Sequence, residues 1–443
     1  MASPDLMSLK TRLHDVAVTR DAGRICAISA GTVTVSGLNR VAHVGDVLQV
    51  ETRDGRSCRG EILRIGAGTL EALLDGPTDM VRVGGLAAYI GRYDLAPDES
   101  WLGRVIDPFG APLDGRPLMP GAATLPLHAR PPAATERRAL GDRLDTGLAA
   151  FNTFLPLVRG QRVGLFAGSG VGKSTLLGNL ARTVGADMSV IALIGERGRE
   201  VREFVENILG RSGMQRAVVI AATSDQSALV RRRAAWAAMT VAEYFRDRGR
   251  HVMFMADSVT RFAEAHRELA LAAGEEASLR GYPPSTAQKI TSLAERAGPG
   301  IAGAGDITAI FSVLVAGSDM EEPVADTLRG VLDGHVVLDR AIAERGRYPA
   351  IDLSRSVSRS LPQATSDAEN TLLLRARHLL GCYERAELMI QSGLYSSGTD
   401  AEIDAAIAFW PKLERFLATA DAGGCGDSFA ALAQCLETAP ARV

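Results

Sequence analysis

The sequence lacks the features that would place the chain in a membrane, outside the cell or on nucleic acid. No apolar run in its 443 residues reaches the roughly 18 residues of a membrane-spanning helix. The N-terminus has no apolar signal-peptide segment, so we expect a cytoplasmic protein. The formal net charge of −3 gives no reason to expect nucleic acid or an acidic membrane surface as the main partner.

Cysteine and lysine are also scarce. The five cysteines are odd in number and lack the spacing of a metal site, which suits a reducing compartment. We therefore expect neither a disulfide nor a zinc ion. Lysine occurs at only four positions in a chain rich in arginine, namely Lys10, Lys173, Lys289 and Lys412. A lysine inside a glycine-rich loop indicates a role for a compact ammonium group, and Lys173 lies in such a loop.

This loop has the sequence Ala167-Gly168-Ser169-Gly170-Val171-Gly172-Lys173-Ser174. It follows an apolar run typical of a buried strand and precedes a helical run. Strand, glycine-rich loop, Lys-Ser and helix are the parts of a phosphate-binding P-loop, although Ala167 replaces its first glycine. The predicted nucleotide-binding residues here are Gly168, Ser169, Gly170, Val171, Gly172, Lys173, Ser174 and Thr175. The backbone N–H groups would cradle one anion, Lys173 would reach the outer phosphates, and Ser174 would ligate Mg²⁺.

Four segments follow from the pattern along the chain. Residues 1–23 are an arm, helical and amphipathic to about residue 22, whose apolar face either packs on the chain or docks a partner helix. Residues 24–93 alternate short β-branched segments with turn residues, which predicts a small antiparallel barrel. No Phe, Tyr or Trp occurs between Arg24 and Ala88, which disfavours a base-stacking barrel. A core over residues 94–362 and a helical segment over residues 363–443 follow.

The core begins with a Pro- and Gly-rich connection to about residue 145. Beyond it, strands alternate with helices, which predicts a parallel sheet whose ligands gather at the carboxyl ends of the strands. The predicted strands are Arg162–Phe166, Met188–Ile194, Ala217–Ala222, Val252–Ala256 and Asp306–Val315. In the helical segment, Ser366 is predicted to cap one helix, and Thr399 and Glu402 to form a capping box.

Two of these strands end in acidic residues. Glu196 and Arg197 follow the second strand, one strand from the P-loop, where Glu196 could polarise water for attack on a γ-phosphorus and Arg197 could hold the carboxylate or the phosphate. The alternative is a charged helix start with ordinary ion pairs. Asp257 ends an apolar strand in the Walker B pattern and would hold Mg²⁺ opposite Ser174. The following Arg261 could approach the γ-phosphate.

Two residues further along have both a functional and a plain interpretation. Tyr348 before Pro349 is either an adenine platform or a core tyrosine at a turn. Arg359 lies far from the predicted catalytic end of the sheet. In a ring of chains it could complete a neighbour's site, a contribution worth about 10³–10⁵ in rate. By composition alone it is one arginine among many.

Together these motifs resemble the type III protein-export ATPases, most closely the flagellum-specific ones, which are related to the α and β subunits of rotary ATP synthases. The resemblance rests on residues 164–174, 195–200, 257–262 and 281–285. It implies an α/β fold with a RecA-like P-loop core and parallel sheet, preceded by a small N-terminal β-barrel and followed by a C-terminal helical domain. It also implies Mg²⁺-dependent hydrolysis of ATP, with Glu196 as general base and Asp257 as the Mg²⁺ acid.

The resemblance further implies an assembly and partners. Tyr348 matches the adenine-stacking tyrosine of catalytic rotary subunits, and Arg359 matches the arginine that a neighbouring subunit supplies. Because one chain has both Glu196 and Arg359, we expect a homohexamer. We also expect a stator protein on residues 1–22, a central-stalk protein in the pore, and chaperone–substrate complexes with an export gate at the inner membrane, where the ring is peripheral.

Other interpretations stay open at this point. A virulence-type injectisome ATPase and the catalytic subunit of a rotary ATP synthase share these motifs, whereas an RNA translocase of the transcription-termination type is disfavoured by the aromatic-poor barrel. Two positions depart from the family pattern. The stretch 286–291 is more polar than usual, which leaves its contact with a pore partner open, and Asp306 stands where a small hydroxyl residue is common.

Overall fold

The computed structural model describes residues 19–29, 31–315, 320–419 and 422–437. In these ranges a closed barrel is followed by a large sheet with helices and then by a group of helices. Alternate residues of the sheet enter two different apolar clusters, so both of its faces are covered. The predicted α/β architecture with an N-terminal barrel and C-terminal helices is therefore confirmed.

The barrel has six antiparallel strands in the spatial order β1-β2-β5-β4-β3-β6. Its strands are β1 (Ala22–Ile28), β2 (Thr32–Ser36), β3 (Val47–Glu51), β4 (Ser57–Ile65), β5 (Thr69–Leu74) and β6 (Leu86–Gly91). Aliphatic residues such as Val35, Leu48 and Ile62 fill its interior, as the alternation of β-branched residues predicts. The predicted arm falls mostly outside the described residues, since these begin at Thr19 and β1 at Ala22.

The large sheet has nine strands, with the path β15-β14-β8-β13-β11-β9-β10-β7 and β12 paired to β13. Its strands are β7 (Arg104–Ile106), β8 (Arg162–Ala167), β9 (Met188–Glu196), β10 (Ala217–Thr223), β11 (His251–Asp257), β12 (Gly298–Pro299), β13 (Asp306–Leu314), β14 (Gly334–Leu338) and β15 (Ile351–Ser358). All five predicted strands are present. The Pro- and Gly-rich connection was predicted without strands, but it supplies the edge strand β7, which pairs with β10.

The sheet order corrects one expectation about the site. The sequence placed Glu196 one strand from the P-loop, yet β13 and β11 lie between β8 and β9. Chain order and spatial order differ because crossover connections carry the chain past the middle of the sheet. Glu196 therefore approaches the P-loop across two strands.

Helices cover the sheet and form the C-terminal part. Their bounds are α1 (Ala149–Asn152), α2 (Lys173–Thr183), α3 (Gly198–Glu203), a π-helical turn (Phe204–Leu209), α4 (Gly210–Met214), α5 (Ala228–Arg246), α6 (Val259–Ala272), α7 (Ser285–Glu295), α8 (Pro323–Val331), α9 (Arg340–Glu344), α10 (Asp367–Gln391), α11 (Ala401–Leu417) and α12 (Cys425–Glu437), with 3-10 turns at Thr78–Met80, Glu99–Trp101 and Leu279–Gly281. None of the helices in the described ranges has the length and apolar character needed to cross a bilayer.

The two predicted helix caps have different outcomes. Ser366 caps α10 in a capping box with Glu369, as expected. The box predicted at Thr399 and Glu402 is wrong, because the cap of α11 is Asp400, whose Oδ1 accepts hydrogen bonds from the N–H groups of Glu402 at 2.8 Å and Ile403 at 3.3 Å. The carboxylate one residue closer to the helix takes the first-turn donors.

The unusual Asp306 at the start of β13 has its own partners. Its buried carboxylate accepts hydrogen bonds from Arg138 Nη2 at 2.6 Å and Arg159 Nε at 2.5 Å. The backbone N–H of Gly300 donates to the same carboxylate at 3.1 Å. Two guanidinium groups thus compensate the desolvation of this buried acid.

Asn152 joins the core to the C-terminal helices. Its fully buried Oδ1 accepts hydrogen bonds from the backbone N–H of Thr146 at 2.9 Å and the Thr146 hydroxyl at 2.8 Å. Its Nδ2 donates to the carbonyl of Gly423 at 3.1 Å and to Ser428 Oγ at 2.9 Å. The Asn152 side chain therefore hydrogen-bonds both to the segment before α1 and to the start of α12.

We expect Asn152→Ala to loosen this junction. A buried backbone donor left without a partner costs about 1–3 kcal/mol, so the urea midpoint should fall and α12 should become sensitive to protease before the core does. Unfolding followed by circular dichroism, together with limited proteolysis, measures both effects. Asn39→Ala is the control, since Asn39 makes only a surface hydrogen bond to Ala67. Equal midpoints for the two variants would contradict the assignment.

Candidate nucleotide site

The P-loop connects the end of β8 to the start of α2. Ala167 is the last residue of β8 and is fully buried, so the small side chain fits where the motif has glycine. Gly170 and Gly172 have φ angles of +78° and +83°, which side chains rarely tolerate. No side chain caps the start of α2 at Gly172. The N–H groups of its first turn are therefore left for an anion.

Three charged side chains meet beside this loop. The Lys173 ammonium is hydrogen-bonded to Asp257 Oδ1 and lies 3.7 Å from Glu196 Oε1. Asp257 ends β11 and Glu196 ends β9, so both carboxylates reach the loop from the carboxyl edge of the sheet. The side chain of Asp257 is 3% exposed, whereas that of Glu196 is 20% exposed and keeps access to water.

The two carboxylates are in electrostatically different environments. Burial, and after it the nearby Asp257, raise the pKa of Glu196 to about 7, while the Lys173 ammonium opposes the shift. A carboxylate with this pKa is basic enough to accept a proton near neutral pH. Asp257 has a direct charge-assisted hydrogen bond to Lys173 instead. Glu196 can thus act as a base, while Asp257 is paired with the Lys173 ammonium.

The residues present suit a magnesium ion with bound nucleotide. Two carboxylates face one ammonium here, so ionisation of Glu196 gives the pocket a net negative charge that favours a cation. The Asp257 carboxylate and the Ser174 hydroxyl would hold the ion, because Mg²⁺ prefers oxygen ligands. When bound, the ion supplies charge neutralisation on the phosphates.

Ser312 is a site residue that the sequence analysis missed. Its hydroxyl donates a hydrogen bond of 2.6 Å to Asp257 Oδ1 and is fully buried. Ser312 lies on β13, between the strands of the P-loop and of Asp257. The available signal was a hydroxyl residue, one of two with Thr308, in the otherwise mostly apolar strand Asp306–Leu314. The role of Ser312 follows only from the pairing of β13 with β11.

The two predicted arginines near Glu196 differ in position. Arg261 packs against Gly195, where an added Cβ would lie 3.2 Å from the Arg261 Cβ, and its guanidinium is bonded to Glu264 at 2.8 Å. This places Arg261 next to the end of β9, beside Glu196. The side chain of Arg197 is 68% exposed, and its Nη1 lies 3.5 Å from Glu200. Arg197 therefore points away from the three charged groups and into solvent.

The Tyr348 ring packs against the P-loop at Gly172. An added Cβ on Gly172 would be 3.1 Å from Cδ1 and 3.2 Å from Cε1 of the Tyr348 ring. The residue is 49% exposed. A half-exposed ring on the phosphate loop is not a core tyrosine. It offers a flat surface to a base.

Arg359 lies at the opposite end of the sheet. Its backbone N–H donates to the carbonyl of Asp333 at 3.0 Å, and its exposed guanidinium donates to the carbonyl of Arg329 at 3.1 Å. Asp333 in turn pairs with Arg162, the first residue of β8. Arg359 thus lies near the first residue of β8, whereas the P-loop follows its last residue. The length of the strand, roughly 16 Å, therefore separates Arg359 from the P-loop. Arg359 cannot approach the P-loop of its own chain in this fold.

Comparison with known proteins agrees with this geometry. A family profile described as the ATP synthase alpha/beta family, nucleotide-binding domain, matches residues 147–358. A second profile, described as the T3SS EscN ATPase C-terminal domain, matches residues 365–423. The two matches cover the sheet from β8 to β15 with its P-loop, and the C-terminal helices α10 and α11.

Individual relatives match over most of the chain. The flagellum-specific ATP synthase of Caulobacter vibrioides is 44% identical over 428 residues, covering 94% of this chain and 96% of the relative. The SPI-2 type 3 secretion system ATPase of Salmonella typhimurium is 47% identical over 335 residues, 76% of this chain and 77% of the relative.

A solved structure is similar over nearly the same length. The assembled ATPase EscN in complex with its central stalk EscO, from the enteropathogenic E. coli type III secretion system, superposes with a TM-score of 0.85 at 35% identity, covering 94% of this chain and all of EscN. Together with the P-loop and its two carboxylates, these matches show that the chain belongs to the flagellar and type III secretion ATPases of the ATP synthase alpha/beta family and is an ATP-binding ATPase.

Proposed function

We propose that the chain hydrolyses Mg²⁺-ATP to energise flagellar protein export, driving the unfolding of export substrates and their release from chaperones at a membrane export gate. The observation that carries the hydrolytic step is the meeting of Lys173, Glu196 and Asp257 at the P-loop. The flagellar assignment rests on relatives such as the Caulobacter protein, which covers almost the whole chain.

Each residue has a role in this proposal. The P-loop N–H groups and Lys173 bind the phosphates, and Ser174 and Asp257 hold the Mg²⁺. Glu196 Oε1 takes a proton from the attacking water, a transfer suited to a pKa of about 7. Arg261, beside Glu196, faces the charge that develops on the γ-phosphate, and Tyr348 stacks on the adenine. Arg197 is exposed and points away from its own site, so we propose that it acts at the interface with a neighbouring chain.

The position of Arg359 supports a shared site. It lies roughly 16 Å from its own P-loop along β8, and it is exposed at the edge of the sheet. We propose that it enters the site of the next chain as an arginine finger. With Glu196 and Arg359 on every chain, a closed homohexamer has six equivalent complete sites. The assembled state of the similar EscN supports this arrangement.

Further partners follow from the same family. The complex of EscN with its central stalk supports a stalk protein in the pore of this ring. The arm at residues 1–22 would bind a stator protein, and the ring would be peripheral to the inner membrane. The segment boundaries at residues 23, 93 and 362 likewise stay predictions.

A virulence-type injectisome is the second candidate system. The SPI-2 ATPase is 47% identical to this chain over 335 residues, so the catalytic part does not discriminate between the two systems. Identity over nearly the whole chain favours the flagellum, since the Caulobacter relative is 44% identical and EscN 35% identical, each over 94% of this chain. Motility of a deletion strain distinguishes them.

Glu196→Gln tests the base. The amide keeps the size of the side chain but cannot accept the proton, so turnover should fall by about 10²–10⁴-fold while ATP binding persists. Phosphate release and binding of a fluorescent nucleotide measure the two properties. The control is Glu203→Gln, an equal charge change on an exposed residue of α3. Wild-type turnover of the Glu196 variant would remove the assignment.

The pKa of Glu196 predicts a pH profile. Below a pKa of about 7 the base is protonated, so log(kcat/KM) should rise with pH up to this value and then level off. Initial rates across this range, at saturating Mg²⁺, measure the profile. The residual activity of Glu196→Gln should lack this step. A wild-type profile that is flat through neutrality would contradict a base with a raised pKa.

Mixing two inactive variants tests the shared site. Arg359→Ala keeps Glu196, and Glu196→Gln keeps Arg359, so a mixed ring contains some interfaces with both residues intact. Random mixing in equal amounts should restore about one quarter of the wild-type sites, measured as ATP turnover after the two proteins are incubated together.

Two controls accompany this experiment. The double variant mixed with Glu196→Gln should stay inactive, because no interface is then complete. Arg340→Ala, which removes an exposed arginine paired with Glu344, should retain turnover. A mixture of the single variants without recovered activity would place the finger in its own chain or outside the reaction.

A further inference from the structure

Three potential metal ligands meet between α10 and α11, in the C-terminal helices. His378 and Cys382 are four residues apart, on one face of α10, and Glu402 lies in the first turn of α11. His378 Nε2 is 3.4 Å from Glu402 Oε2 and 3.6 Å from Cys382 Sγ. Cys382 Sγ is 4.0 Å from Glu402 Oε2. None of the three residues belongs to the nucleotide site.

These separations are close to those that a tetrahedral zinc ion imposes. With Zn–N about 2.0–2.1 Å, Zn–S about 2.3 Å and Zn–O about 2.0–2.2 Å, the ligand atoms lie roughly 3.4–3.6 Å from one another. The two distances from His378 match this range, and the distance from Cys382 to Glu402 exceeds it by a few tenths of an ångström. The ligands are therefore arranged for an ion with little rearrangement.

From this geometry we propose that His378, Cys382 and Glu402 form a Zn²⁺ site, with water as the fourth ligand. An imidazole, a thiol and a carboxylate are the ligand types that zinc uses in proteins. The thiol selects zinc over the Mg²⁺ of the nucleotide site, because Mg²⁺ prefers oxygen ligands.

The surroundings support both ligation and access. Cys382 is buried, whereas the side chains of His378 and Glu402 are 50% and 40% exposed, which leaves an entry path for the ion. Arg385 Nη2 lies 3.3 Å from Cys382 Sγ and can donate a hydrogen bond to it. Zinc binds a cysteine in its deprotonated form. A thiolate and a carboxylate together neutralise the ion.

The site would act as a clamp between two helices. The ion would tie the middle of α10 to the start of α11, where Asp400 already fixes the first turn. The cysteine spacing led us to expect no zinc. That expectation considered only ligands close in sequence, whereas Glu402 reaches the cluster from the next helix.

Titration of the full-length protein with Co²⁺, in excess Mg²⁺ and a non-thiol reductant, tests the proposal. We expect one Co²⁺ per chain, a near-ultraviolet thiolate-to-cobalt absorption and the visible bands of tetrahedral cobalt, all removed by added Zn²⁺. Cys382→Ser should abolish the thiolate band. Loss of this ligand should weaken binding by more than about 10-fold, since loss of an outer-shell partner alone typically costs 10–100-fold.

Further variants keep the result interpretable. His378→Ala alters a half-exposed residue and should fold normally. Because the variant lacks one ligand, it should bind Co²⁺ more weakly, with ATP turnover unchanged. Cys26→Ser removes an exposed thiol of the barrel and should leave the spectrum intact. Zn²⁺ should raise the melting temperature of the wild type but not of Cys382→Ser. A thiolate band that persists in Cys382→Ser, disappears in Cys26→Ser or never forms would overturn the site.

Discussion

The ammonium group of Lys173 between two carboxylates is the interaction on which the site depends. Asp257 and Glu196 come from strands that are not neighbours of β8, yet both approach the same cation at the carboxyl edge of the sheet. Without the ammonium between them, the two carboxylates would repel each other. The pocket is thus preorganised for positive charge on one side and for phosphate on the other.

Much of the fold follows from periodicity and much of the site from motifs. The five predicted strands are present because short apolar segments between polar or glycine residues have few alternatives in an α/β chain. The P-loop pattern places Lys173 at the start of α2, after β8, and the Walker B pattern places Asp257 at the end of β11. Local sequence carries this information, since each motif is built from residues a few positions apart.

The remaining features depend on pairings between distant residues. The order β8-β13-β11-β9 brings Ser312 onto Asp257, and no local pattern encodes that order. Similarly, β15 runs antiparallel to β14, which returns Arg359 to the start of β8. The cap of α11 moved by one residue because Asp400 competes with Thr399 for the same donors. These features are determined by contacts in the folded chain that local sequence patterns do not specify.

One chain of hydrogen bonds links the nucleotide loop to the far end of the polypeptide. Thr183, the last residue of α2, donates to the carbonyl of Thr146 at 2.5 Å, and Thr146 is held by Asn152, which in turn holds the start of α12. The helix that begins at Lys173 is therefore connected to the C-terminal helices through hydrogen bonds. An axial movement of α2 would be felt first at Thr146, the residue that Asn152 holds against the C-terminal helices.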